Sequence, residues 1–345
     1  MEDASVTYQL YVGVDIAAET FVAAWLVPGG KPAAPFTGEQ APAGFAALQR
    51  RLQATAIPPA AALVVLEATG TYWVALAVAL HEAGYRVAVV NPRQAHHFAK
   101  AQLRRAKTDA LDARDLAQLA ATLRPAPWTP PPGVYHEVRQ RLVARDGLLT
   151  MRTQARNQRH ALLQWPVVVA AVQQHLDELI ADLDRRVAAL EAEIAAILKE
   201  SAWAESLSCL TSAPGIGLVT ASWLLVGTLN FALCTGPESL TAYVGLSPVP
   251  RESGRSIRGR PAIGHDGNAR LRTALYMATL SAARFNPAIK AFYQRLRTAG
   301  KPKKVARCAA ARKLLHQAWA LGSKQQRFDP GYQQQQHDTS PQLAA

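Results

Sequence analysis

Residues Ala61 to Leu66 form an unbroken apolar run, closed by Glu67 and followed by Thr69-Gly70-Thr71. A run that short and uniformly apolar, bounded by turn residues, predicts a buried strand. Upstream, Tyr8 to Asp15 alternates in strand fashion, a second strand spans Phe21 to Val27, and a short one lies near Pro35 to Thr37. Downstream the pattern predicts helices at Ala43–Gln53, Tyr72–Ala83 and Asp109–Leu123, with strands at Ala62–Glu67 and Arg86–Asn91. Three strands in a row, then alternating helices and strands, predict an α/β unit with a mixed sheet covered on both faces.

Acids stand where such a unit can least absorb them. Asp15 and Glu67 end predicted buried strands, and a buried strand end is a costly place for a carboxylate unless it is paired or bound to metal. In Lys107 to Arg114 (K-T-D-A-L-D-A-R), Asp109 and Asp112 share one helix face. Like charges at that spacing repel, and hard oxygen donors suit a divalent cation such as magnesium. Taken alone, the pair also fits a helix-start charge and a solvated face. Four acids in this order are a more specific signal.

At 345 residues, 49% hydrophobic and 18% charged, the chain can build two or three domains with real cores. Its net charge of +13 predicts a polyanionic partner, most simply nucleic acid. Neither an apolar stretch long enough for a membrane nor a secretory leader is evident, so the expectation is a cytoplasmic protein without a membrane partner. Cys209, Cys234 and Cys308 lack metal-ligand spacing and are expected to be reduced core thiols.

Pro127 to Pro132 reads as a stiff boundary, and a helical segment follows to about Glu200. Leu176, Ile180, Leu183, Val187, Leu190, Ile194 and Ile197 keep four-three spacing, a coiled-coil seam. Trp165-Pro166 interrupts the run, so an antiparallel pair within the chain and an arm that joins protomers both remain open. Pro214-Gly215-Ile216-Gly217 precedes an apolar helix and fits a phosphate cradle or a plain tight turn.

From Arg251 to Arg327 there are eighteen Lys or Arg and two acids, Glu252 and Asp266, an imbalance unlike an ordinary solvated surface. Arg251 to Arg260 (R-E-S-G-R-S-I-R-G-R) reads as a flexible loop. A serine there needs a base or a strong field to become a nucleophile, and guanidinium groups can stabilise a phosphoryl group in transfer. A loop that only holds a nucleic-acid backbone fits the same composition. Candidate nucleic-acid contacts are Arg251, Arg255, Arg258, Arg260, Lys107, Arg270, Arg272, Lys301, Lys303, Lys304, Gly215 and Gly217. The tail past about 322 is low in complexity and expected to be disordered.

Asp15, Glu67 and K-T-D-A-L-D-A-R, with P-G-I-G, A-Y-V-G-L-S-P (Ala242 to Pro248) and E-S-G-R-S-I-R-G (Glu252 to Gly259), resemble the DEDD insertion-sequence transposases. This is the "IS one-ten" family, whose relatives include Piv-type invertases. G-N-A-R-L-R-T-A-L (Gly267 to Leu275), N-P-A-I-K-A-F-Y (Asn286 to Tyr293) and the basic helix from Lys301 extend the likeness, in the family's order, over about residues 8–322.

The resemblance implies a ribonuclease-H-like, RuvC-type domain at 1–125 with a magnesium site on Asp15, Glu67, Asp109 and Asp112. It implies a linker and coiled coil at 126–204, then a mainly helical transposase domain at 205–322 with Ser253 as nucleophile, in preference to Ser256. It further implies DNA partners (donor and target), a noncoding bridge RNA as guide, a homo-oligomer (dimer or tetramer) and a nucleoid-associated life. The rival expectations are a metal-dependent junction endonuclease using water and a non-catalytic nucleic-acid scaffold.

Overall fold

A computed structural model describes residues 7–102, 108–253 and 257–331, and the chain divides after Pro130 into two compact units.

The first unit is built on five strands: β1 (Leu10–Ile16), β2 (Thr20–Leu26), β3 (Phe36–Glu39), β4 (Ala62–Glu67) and β5 (Arg86–Val90). Their order across the sheet is β3-β2-β1-β4-β5. β1, β2 and β3 pair antiparallel, while β1, β4 and β5 run parallel. Central β4 is buried along Ala62–Leu66, as its apolar run requires. Helices α1 (Pro42–Gln53) and α2 (Trp73–Glu82) cover one face, packing Phe45, Leu48, Leu76 and Leu80 against Val12, Val14 and Val64. α3 (Pro92–Ala101) follows β5, and α4 (Asp109–Leu123) covers the other face, setting Leu116, Leu119 and Ala120 against Tyr11, Leu63 and Val65. The mixed sheet between helices is therefore as the sequence predicts. α3 goes beyond that expectation: it buries no residue fully and sets only Ala95 and Phe98 against the core, a stripe too short to read.

The second unit begins with two long helices, α5 (Gly133–Leu162) and α6 (Ala170–Glu200), and the seam residues Leu183, Val187 and Ile194 of α6 are buried. The two helices pack on each other, bonded by Arg141 to Glu193 (2.7 Å) and Arg145 to Glu191 (2.6 Å), with Arg152 and Arg156 on Asp184. α5 thus covers part of the seam, while Leu176, Ile180, Leu190 and Ile197 stay half-buried. Next come α7 (Ala204–Thr211), α8 (Leu218–Thr228) and α9 (Pro237–Val244), then a hairpin of β6 (Pro248–Ser253) and β7 (Ile257–Ile263). Three helices finish the unit: α10 (Ala269–Phe285), α11 (Pro287–Thr298) and α12 (Lys303–Lys324). Val138 and Ile194, from the base of the helix pair, share one core with Leu224, Leu275 and Leu314.

Two local expectations change. The stretch read as a flexible loop contains a backbone-paired hairpin, in which Ser253 pairs with Ile257 and Arg251 with Gly259. The last helix runs to Lys324, and Phe328 still packs on the core beyond the boundary drawn at 322. All three cysteines are free thiols, two of them buried. Among the described residues, no helix is long and apolar enough to cross a membrane.

Candidate metal and strand-transfer site

Asp15 lies near the end of β1, and β1 pairs in parallel with β4 up to Val14 opposite Leu66, which sets Glu67 beside it at the carboxyl ends of the two strands. Tyr11 and Val65 face α4, and alternation along each strand turns Asp15 and Glu67 the same way. α4 is drawn onto the strand at Gly13. A Cβ there would stand 2.2 Å from both the Ala113 carbonyl oxygen and the Ala117 nitrogen, so only glycine admits the helix backbone. That contact carries Asp112, one residue before Ala113, over the end of β1. Thr108 caps the helix, its hydroxyl accepting the Leu111 N–H at 3.3 Å, and Asp109 and Asp112 occupy the first turn. The positive end of the helix dipole offsets part of their repulsion.

The electrostatics show that these acids share a field. Asp15 is pushed up to about 6, first by burial, then by the charges of Asp112, Asp109 and Glu67, against a backbone hydrogen bond from Ile16. Thr69 steadies Glu67, donating from Oγ1 to Oε1 at 2.7 Å. Among the described residues, no ion pair relieves any of the four carboxylates. Nor, among those residues, do three His, Cys, Asp or Glu side chains already close on one point as an ion cage. The donor set fits a divalent cation by type: hard oxygens and surplus negative charge at the carboxyl ends of two adjacent parallel strands.

The remaining predicted residues fall into three groups. Lys107, Arg255 and Ser256 lie outside the described residues. Ser253 ends β6, Arg251 precedes it on that strand, and Arg258 and Arg260 lie on β7. Lys301, Lys303 and Lys304 are exposed at the start of α12, where cations oppose the helix dipole.

Several candidates have work inside the fold. Arg270 pairs with Asp146 and stacks over Trp223 at 5.0 Å, while Arg272 donates to the carbonyls of Val244 (3.2 Å) and Asp266 (2.8 Å). Gly215 has φ +103°, and a Cβ on it would meet Ala282 Cβ at 2.5 Å, so it serves a turn packed on α10. Gly217 is the N-cap of α8, and a Cβ on it would meet nothing within 4 Å. The sequence reading missed Gly13 and the capping role of Thr108. The second was visible in T-D-A-L just ahead of an apolar run; the first had no local signal.

Residues 12–165 match the family model of DEDD transposases of IS110 type, and residues 207–294 match the transposase family IS116/IS110/IS902. The pilin gene-inverting protein of Moraxella bovis is 31% identical over 322 residues, covering 92% of this chain and 97% of that protein. Its counterpart from Moraxella lacunata is 31% identical over 324 residues, with the same coverage. An uncharacterized 43.6 kDa protein of insertion element IS110 from Streptomyces coelicolor is 35% identical over 134 residues, 39% of this chain and 32% of that protein.

Proposed function

This chain belongs to the IS110 family of DEDD transposases, DNA recombinases of insertion elements, and on that premise we propose that it cuts and rejoins DNA through a covalent phosphoserine at Ser253. The observation that carries the metal half of this reading is the mutual field on Asp15: acids from two adjacent strand ends and a helix start raise its pKa together. Asp15, Glu67, Asp109 and Asp112 would hold magnesium, which when bound supplies a Lewis acid for the scissile phosphate. The unit that carries them is read as a ribonuclease-H-like domain of RuvC type.

In the proposed reaction the Ser253 hydroxyl attacks the phosphorus and gives up its proton. The bond from phosphorus to one deoxyribose oxygen breaks, and that oxygen leaves as a hydroxyl after protonation. Ser253 then holds the phosphate as an ester, so rejoining needs only attack by a new strand's hydroxyl, which releases the serine. Arg255 and Arg258 are proposed to stabilise charge on the phosphoryl oxygens. Donor and target would be chosen by a noncoding guide RNA, and the reaction would run in a dimer or tetramer.

Wild-type protein, with the RNA that copurifies with it, incubated with element-end DNA and magnesium should yield a protein–DNA adduct in a denaturing gel, and Ser253→Ala should yield none. Adducts at the wild-type level in Ser253→Ala would remove the serine from the mechanism. Strand cleavage that survives Ser253→Ala without adducts, but fails in Asp15→Asn, would identify a water-using nuclease instead. Sequencing RNA that copurifies with the protein tests the guide: a single structured species with loops matching donor and target is the expected result.

A further inference from the structure

The segment after α12 turns back along that helix and leaves a cleft of about 570 Å³, within the range of small-ligand sites. The Phe328 N–H fixes the segment, donating to Ser212 Oγ at 2.8 Å. The apolar lining is Ala288, Ala320, Leu321 and Phe328, and the cations are Lys313, Lys324 and Arg327. Asp329, the acid at its edge, accepts the Gly331 N–H at 2.7 Å. Helices α10, α11 and α12 contain twelve Lys or Arg and no carboxylate residue.

Two polar groups of the cleft are held by partners behind it. Fully buried Asn286 accepts the Ile289 N–H on Oδ1 (3.2 Å), so its Nδ2 donates to Gln317 Oε1 (3.0 Å). That leaves the Gln317 N–H groups for a ligand. Thr241 Oγ1 donates to the Pro237 carbonyl (2.7 Å) and therefore accepts from His316 Nε2 (2.9 Å), leaving Nδ1. Burial, then Arg312, lowers the His316 pKa, which favours a neutral ring with Nδ1 as acceptor.

A fixed donor, a fixed acceptor, an apolar lining with one aromatic ring and three cations are the requirements of a single nucleotide. A duplex keeps its bases stacked and offers a concave site only phosphates. A single strand can insert a base. We infer that this cleft binds one unstacked nucleotide of a single-stranded nucleic acid, its base beside Phe328 and Leu321 and its phosphates on Lys313, Lys324 and Arg327. The inference rests on the nucleic-acid reading of the chain and adds a strand-specific site to it.

The test uses the full chain, fluorescence anisotropy at fixed salt, and labelled single-stranded DNA, single-stranded RNA and the matching duplex. Ala320→Phe fills the cleft without changing charge. It should weaken single-strand binding about tenfold and leave duplex binding, and adduct formation at saturating RNA, intact. Lys324→Ala, at an exposed position, should weaken the same strand and flatten its salt dependence. A loss confined to RNA identifies a guide strand as occupant, and one confined to DNA a displaced strand. Unchanged single-strand binding in a folded Ala320→Phe protein overturns the cleft, as does failure of the wild type to bind either single strand. Duplex binding and adducts in the same samples report separately on the proposed function.

Discussion

Two sets of carboxylates in this chain are treated in opposite ways. On α6, Asp184 lies between Arg152 and Arg156, and the Arg152 hydrogen bond leads in holding it below the usual carboxylate range. At the carboxyl end of β1, Asp15 has three acids for neighbours and is pushed up to about 6, burial leading. One set is arranged to hold two helices in register. The other repels itself at a place where Asn or Ser would be cheaper. A fold keeps such a cluster at the expense of its own stability when the cluster serves chemistry.

The largest test of this contrast is catalytic. Asp15→Asn and Asp112→Asn should each lower adduct formation about a thousandfold or more, whereas Asp184→Asn should leave it near wild type. Equal losses in all three would show that the two sets are alike. Next in size is the response to magnesium at pH 7.5. An ion bound only by the folded chain at a hundred times its Kd adds about 2.7 kcal/mol. The wild type should therefore melt higher with magnesium than with chelator, and Asp15→Asn should not.

The two sets also differ in how far the sequence exposes them. The strands that present Asp15 and Glu67 are legible because burial on a pleated sheet leaves an apolar run or alternation, and each acid closes one. The pair on α4 is legible because helical spacing is local. What brings α4 to β1 is not: Gly13 is one glycine in a strand, and its reason is a backbone about a hundred residues later. The same holds for Arg270, whose partner Asp146 is 124 residues away, and for Arg272, engaged by carbonyls. Both read as phosphate contacts because charge shows in a sequence and its distant partner does not. The 251–260 stretch read as loop because its Gly, Ser and Arg have no alternation, yet its backbone pairs as a hairpin whose second strand ends in Ile263, packed on the core. The acids of α6 go unread: the heptad seam marks the apolar positions, and the arginines that pair with Asp184 stand on another helix.

Without metal, the comparison takes a stability form. A carboxyl raised from 3.8 to about 6 favours the folded state below pH 3.8 and loses that advantage as pH rises through 6. Asp15→Asn removes the penalty. With chelator at pH 7.5 it should be more stable than the wild type by about 1–2 kcal/mol, after discounting for partial exposure, and the two should converge below pH 4. Denaturant midpoints across that range check it, and a less stable Asp15→Asn at pH 7.5 would contradict the repulsion.

The smallest effect is also the one with the opposite sign. Asp184 has a lowered pKa, so its contribution is present above the unfolded value of 3.8 and is lost as pH falls through the folded one. Asp184→Asn should therefore melt below the wild type at pH 7.5, and the difference should vanish in acid, where Asp15→Asn also rejoins the wild type but from above. Because Asp184 and Arg156 are exposed and Arg152 is only half-buried, the deficit should shrink further in molar salt. Melting curves at low and high salt decide it. A deficit that persists undiminished in high salt would mean that Asp184 supports the helix pair by packing, and the contrast between paired and unpaired acids would then rest on the carboxyl end of β1 alone.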